Sequence, residues 1–153
     1  MIKYIKNETM VVFAEIPDEV TLAINISNCQ NNCIGCHSPY LRENIGDELT
    51  FEAIDKLVEK NDGITCICFM GEGNDIESLC KLSKYISDNY NLATGLYSGQ
   101  SELKQYMIDN FNYVKVGPYI EEYGPLNKKT TNQRLYYIYN GEPLDITYKF
   151  WKQ

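Results

Sequence analysis

The run Ile64-Thr65-Cys66-Ile67-Cys68-Phe69-Met70 constrains this chain more than any other stretch. It is apolar almost throughout and shows no alternation, so as a strand it must be covered on both faces. A parallel sheet with crossover helices meets that demand, and the surrounding pattern supplies them. Before the run, Thr50 can cap a helix in which Phe51, Ile54, Leu57 and Val58 recur at helical spacing, ended by Asn61-Asp62-Gly63. After it, Gly71-Glu72-Gly73-Asn74 stops the strand, and a second helix is expected from about Ile76 to Asn89, with Ile76, Leu79, Cys80, Tyr85 and Ile86 facing inward.

The cycle continues on both sides. Met10–Phe13 and Val20–Ile26 read as β-branched strands around a turn at Pro17-Asp18-Glu19. A strand at Leu92–Tyr97 ends at Ser98-Gly99, a helix is expected from a cap at Ser101, and a strand at Tyr113–Val116 ends at Gly117-Pro118. Residues 121–134 are polar and read as a loop. Leu135–Tyr139 and Leu144–Tyr148 then flank Asn140-Gly141, a strong hairpin turn signal. The expectation is one α/β domain over residues 1–153, with four strands of the βα kind and a C-terminal β-hairpin. A closed eight-stranded barrel takes about 250 residues. A chain of 153 residues can build only part of one, so a sheet of mostly parallel strands, curved and open on one side, is expected.

Charge narrows the function. Fourteen Lys+Arg stand against 21 Asp+Glu, a net charge of −7, with no basic stripe, which argues against a nucleic-acid partner. No apolar run is long enough for a membrane span, and Met1-Ile2-Lys3-Tyr4 opens no signal-peptide apolar region. A cytoplasmic location is expected, where thiols stay reduced and clustered cysteines more often bind metal than form disulfides.

Such a cluster follows the Val20–Ile26 strand: Cys29, Cys33 and Cys36, with His37 next to the last. In parallel α/β folds ligands bind at the C-terminal strand ends. The cysteine loop, Gly71-Glu72-Gly73, Ser98-Gly99 and Gly117-Pro118 all fall at such ends. Cys33-Ile34-Gly35-Cys36-His37 also matches a haem-attachment pattern, but that reading needs export and leaves Cys29 unused. Zinc could take three thiolates and His37, although adjacent Cys36 and His37 are awkward on one ion. A four-iron cluster fits best: thiolates at C-x3-C-x2-C hold three irons and leave the fourth open to a chelating molecule. Cys66, Cys68 and Cys80 lie in apolar strand and helix patterns and read as small buried hydrophobes.

The strand-borne Cys29-x3-Cys33-x2-Cys36 motif, followed by a glycine- and acid-containing turn, resembles the radical S-adenosylmethionine (SAM) superfamily. Within it, Gly35, the stretch Cys36-His37-Ser38-Pro39, the turn Gly117-Pro118-Tyr119 and the segment Thr131-Asn132-Gln133-Arg134 are similar to the activating proteins of anaerobic ribonucleoside-triphosphate reductases. The likeness spans nearly the whole chain. The cysteine motif is strongly specific for the superfamily; the later segments carry the narrower likeness and are less specific.

The resemblance implies a truncated TIM-like core holding a [4Fe–4S] cluster on Cys29, Cys33 and Cys36, with SAM chelating the open iron. It implies reductive cleavage of SAM, abstraction of a glycine α-hydrogen from the anaerobic reductase, and an electron donor such as flavodoxin or ferredoxin. Gly35, Cys36 and His37 would shape the cofactor loop, and no side chain beyond the cluster and SAM is needed as catalyst. The family's second motif is usually Gly-Gly-Glu or Gly-Gly-Asp; here Met70 precedes Gly71, and Glu72 separates Gly71 from Gly73. By resemblance this turn meets the SAM amino group, with Glu72 as the acid. Ser98 would meet the SAM ribose or carboxylate, or else cap the next helix, and Asn132, Gln133 and Arg134 would line the opening. A radical SAM enzyme acting on a small heterocyclic substrate and a non-catalytic zinc-binding module are the alternatives.

Overall fold

The computed structural model describes residues 1–27 and 44–151. Among these residues the elements are β1 (Lys3–Tyr4), β2 (Met10–Val12), β3 (Thr21–Asn25), β4 (Asp47–Glu48), α1 (Phe51–Lys60), β5 (Cys66–Met70), α2 (Ile76–Asn89), β6 (Ala93–Tyr97), α3 (Gln105–Asn110), β7 (Tyr113–Val116), β8 (Arg134–Tyr139) and β9 (Glu142–Asp145). A seven-stranded sheet has the order β2-β3-β5-β6-β7-β8-β9, and β1 and β4 form a separate ribbon. The four central strands, β3, β5, β6 and β7, are mutually parallel, while β2 and the β8–β9 hairpin extend the sheet antiparallel.

The parallel strands follow one another across the sheet without a reversal of order. Crossovers of one hand that step always in one direction place their helices on one face. The packing agrees: Ile54 of α1, Leu79, Leu82 and Ile86 of α2 and Met107 of α3 share one buried cluster with Leu22, Ile24, Ile67, Phe69, Leu96 and Val114. The alternate residues of the same strands point the other way. There Cys66, Cys68, Tyr113 and Leu135 pack beneath Ile16, which is wholly buried, with Phe150 at the margin. The β2–β3 connection is tied across this second face. Tyr97 donates its hydroxyl to the Glu15 carbonyl, Tyr113 donates to Glu19 Oε2 at 2.7 Å, and Lys149 pairs with Asp18 at 2.8 Å. Both faces of β5 are therefore covered, as its apolar run requires.

Local signals explain the element ends. Thr50 Oγ1 accepts the Ala53 N–H at 3.0 Å, capping α1 as expected. Asn140 and Gly141 carry φ of 50° and 78°, the double left-handed pair of a type I′ turn. Pairing therefore resumes at once, with Glu142 opposite Tyr139, and the last strand is Glu142–Asp145 rather than Leu144–Tyr148. Asp145 Oδ1 then takes the Thr147 N–H at 3.0 Å and turns the chain into a 3-10 turn over Thr147–Phe150.

Two other expectations change. Ser101 is exposed and caps nothing; α3 starts at Gln105, after Lys104. The backbone of residues 98–100 is held across the strand ends first, with Gly117 N–H bonded to the Gln100 carbonyl at 2.6 Å, so the chain cannot turn back into a helix at Ser101. On α2 the buried positions are Leu79, Leu82, Ser83 and Ile86, while Cys80 and Tyr85 are half-buried beside them. Ser83 is inside because its hydroxyl donates to the Asn110 carbonyl at 2.5 Å and lies 2.8 Å from Thr94 Oγ1. No helix among the described residues is long and apolar enough to cross a membrane.

Candidate functional site

The C-terminal ends of the parallel strands are laced together by backbone bonds. Ile26 N–H reaches the Met70 carbonyl at 3.1 Å, Gly71 N–H the Tyr97 carbonyl at 3.0 Å, and Ser98 N–H the Lys115 carbonyl at 2.8 Å. The exits of β3, β5, β6 and β7 therefore share one edge. Cys29, Cys33, Gly35, Cys36 and His37 lie outside the described residues, but both flanks of their segment are fixed at this edge. Ser27 N–H binds the Lys3 carbonyl at 3.0 Å, and its hydroxyl donates to the Ile45 carbonyl.

Gly71-Glu72-Gly73 sits at the top of β5. Gly71 and Gly73 have φ of 112° and 68°, the left-handed region that favours glycine. A Cβ on Gly73 would lie 3.0 Å from Ile26 Cγ2 and 3.1 Å from Ile2 Cδ1. The glycines thus pack toward the β3 exit, where the cysteine segment begins. Glu72 turns the opposite way. Its side chain is 3% exposed. Oε1 accepts from Ser98 Oγ at 2.5 Å, and Oε2 accepts from Gln100 Nε2 at 2.6 Å and from Tyr106 OH at 2.5 Å. Ser98 Oγ in turn accepts the Gln100 N–H at 3.0 Å. Glu72 and Ser98 are therefore brought together, each engaging the other. Tyr106 is held as a neutral phenol, its pKa pushed up by burial and then by the Glu72 carboxylate.

At the β7 exit, Gly117 takes φ 102°. Its carbonyl accepts from Lys115 Nζ at 3.0 Å and from Gln133 Nε2 at 3.3 Å. Asn132 Nδ2 donates to the Pro118 carbonyl at 3.0 Å, and its buried Oδ1 has no hydrogen-bond partner among the described residues. Asn132 and Gln133 thus meet the Gly117-Pro118 turn. Arg134 is drawn aside, its Nε 2.8 Å and its second guanidinium nitrogen 2.7 Å from Asp145 Oδ2, with Trp151 beside it.

Three participants escaped the sequence reading. Tyr106 and Gln100 complete the Glu72 clamp, and nothing local marks them. Lys115 is 7% exposed, its ammonium 5.5 Å from the centre of the Tyr97 ring. A charge inside the strand Tyr113-Val114-Lys115-Val116 was a legible signal. Cys66 and Cys68 behave as buried hydrophobes. Burial, and then Glu19, pushes the Cys66 thiol up to about 12, and burial also raises Cys68 well above the usual thiol range. Both stay protonated at neutral pH.

No known protein family, curated protein or solved structure matches the chain significantly.

Proposed function

We propose that this chain is a radical SAM enzyme that activates an anaerobic ribonucleotide reductase by forming a glycyl radical on it. The observation that carries the reading is the convergence of four strand exits on one edge, with Ser27 pinned there two residues before the C-x3-C-x2-C motif begins. Cys29, Cys33 and Cys36 would hold the [4Fe–4S] cluster, and the Gly71–Gly73 turn beside the β3 exit would hold the methionine end of SAM. When bound, cluster and SAM together supply an electron and a carbon-centred oxidant able to take a glycine α-hydrogen.

The protein's residues bind, orient and exclude. The glycines of the turn let its backbone approach closely, so its carbonyls are the groups offered to an ammonium, while the Glu72 carboxylate is occupied with Ser98, Gln100 and Tyr106. Cys66 and Cys68, neutral beneath Ile16, keep the second face apolar. Placement of all three helices on one face favours a sheet curved as a partial barrel, open beyond β2 and β9. A backbone segment of the partner would enter through that opening.

The test is anaerobic reconstitution with iron and sulfide. A brown protein with about four irons per chain is expected, and any single Cys29, Cys33 or Cys36→Ala variant loses SAM cleavage. Mixing with the reductase and a reductant should give a glycyl doublet that collapses when the partner's glycine is α-deuterated. A colourless, zinc-replete protein, or full SAM cleavage in a cysteine variant, sinks the reading.

A further inference from the structure

Gly71 and Gly73 carry no side chains and lie in the left-handed region. A turn of this kind has many alternatives open to it and is held only by what surrounds it. On one side Gly73 abuts Ile26 and Ile2. On the other, Gly71 N–H is bonded to the Tyr97 carbonyl, and the side-chain restraint passes through Glu72. Its carboxylate gathers donors from three places in the chain: the β6 exit (Ser98), the loop beyond (Gln100) and helix α3 (Tyr106). Gln100 Nε2 also donates to Tyr106 OH at 2.9 Å, so the two donors on Oε2 are themselves joined. Hydrogen bonds to a carboxylate are shorter and stronger than neutral ones, and here the carboxylate that accepts them is buried.

We infer that Tyr106 and Gln100 are positioning residues for the cofactor-binding turn, clamping Glu72 so that the Gly71–Gly73 carbonyls hold one arrangement toward the SAM ammonium. The inference rests on the SAM reading above. Tyr106 acts through Glu72: its phenol removes the freedom of a turn that glycine leaves loose. Losing that phenol removes one of the bonds on Oε2 and lets the turn sample other conformations. The ammonium contact then weakens, while contacts of the cofactor's adenosine end are kept.

The experiment compares two ligands on the cluster-reconstituted chain: SAM, and its deaminated analogue with hydrogen in place of the amino group. The wild-type chain should prefer SAM by about tenfold or more, the worth of one charge-assisted hydrogen bond. Tyr106→Phe should lower that preference several-fold by weakening SAM more than the analogue. A role in stability only would weaken both ligands alike and leave the ratio unchanged. Hydrogen exchange on the cluster-free chain gives an independent readout: the amides of Gly71, Glu72 and Gly73 should exchange faster in Tyr106→Phe, with those of β5 unchanged. If Tyr106→Phe does not fold, Gln100→Met removes the other donor on Oε2 and takes its place. An unchanged ligand ratio or unaltered exchange overturns the inference. A wild-type chain that binds neither cluster nor SAM overturns the SAM reading itself, and that result is visible before any variant is made.

Discussion

Replacing Glu72 by Gln tests the clamp through stability. A carboxylate only accepts hydrogen bonds; an amide has one accepting oxygen and one donating nitrogen. Three donors converge on Glu72: Ser98 on Oε1, and Gln100 and Tyr106 on Oε2. Whichever way the amide lies, its NH2 faces a donor. Turned toward Oε2, it meets the Gln100 NH2, which must flip to present its oxygen and then takes the Tyr106 hydroxyl as a donor instead of giving to it. Turned toward Oε1, it meets Ser98, whose hydroxyl can rotate but whose oxygen already takes the Gln100 N–H. In either orientation the bonds to a charged acceptor become neutral ones, a loss of about 1.5–3 kcal/mol in all. For a domain near 150 residues each kcal/mol moves Tm by about 2–4 °C, so a fall of roughly 3–12 °C is expected. Thermal and urea unfolding of the cluster-free chain, followed by circular dichroism, measures it, with the urea midpoint lowered and the slope unchanged. A Tm within about 1 °C of wild type would refute the clamp, because no satisfied buried carboxylate can be exchanged so cheaply. In the Glu72→Gln/Tyr106→Phe double variant the two losses should fall short of their sum, since Gln already weakens the Tyr106 bond that Phe removes.

Cys66 and Cys68 should resist alkylation in the native chain at pH 8 and react on unfolding, as mass spectrometry after iodoacetamide would show; fast native labelling would contradict their burial. Because the folded Cys66 pKa is raised, to about 12, its protonated form contributes stability in full below the ordinary thiol pKa, and that contribution falls away as pH climbs from about 9 through 12. Equilibrium unfolding should therefore show an alkaline loss that Cys66→Ala reduces. Gly141→Ala should cost about 1–2 kcal/mol for its left-handed φ alone, since a Cβ there meets nothing within 4 Å; an unchanged urea midpoint would count against the I′ turn.

The sequence by itself determined the alternation of strands and helices, because periodicity and cap residues act over a few positions. The both-sides-buried run became β5, Thr50 capped α1, and Asn140-Gly141 made the hairpin. It also determined the candidate chemistry, since three thiols spaced along a few residues need no tertiary contact to be recognised. Boundaries failed where a distant partner intervened. Ser101 is a good cap by type, yet the Gly117–Gln100 bond ties the chain just before it and the helix starts only at Gln105, and Ser83 is buried for hydrogen bonds to Thr94 and Asn110 that helical periodicity cannot express.

Only the tertiary structure decided where Glu72 points. Its residue type and place after β5 suit an exposed acid at a ligand site, but its partner Tyr106 is 34 residues away on a short helix. The same holds for the second face of the sheet, covered by Ile16 of the β2–β3 connection through bonds to Tyr97, Tyr113 and Lys149. Local patterns state which side chains must be buried or can cap and turn. Which groups meet depends on strand register and crossover direction, and these emerge only when the whole sheet assembles.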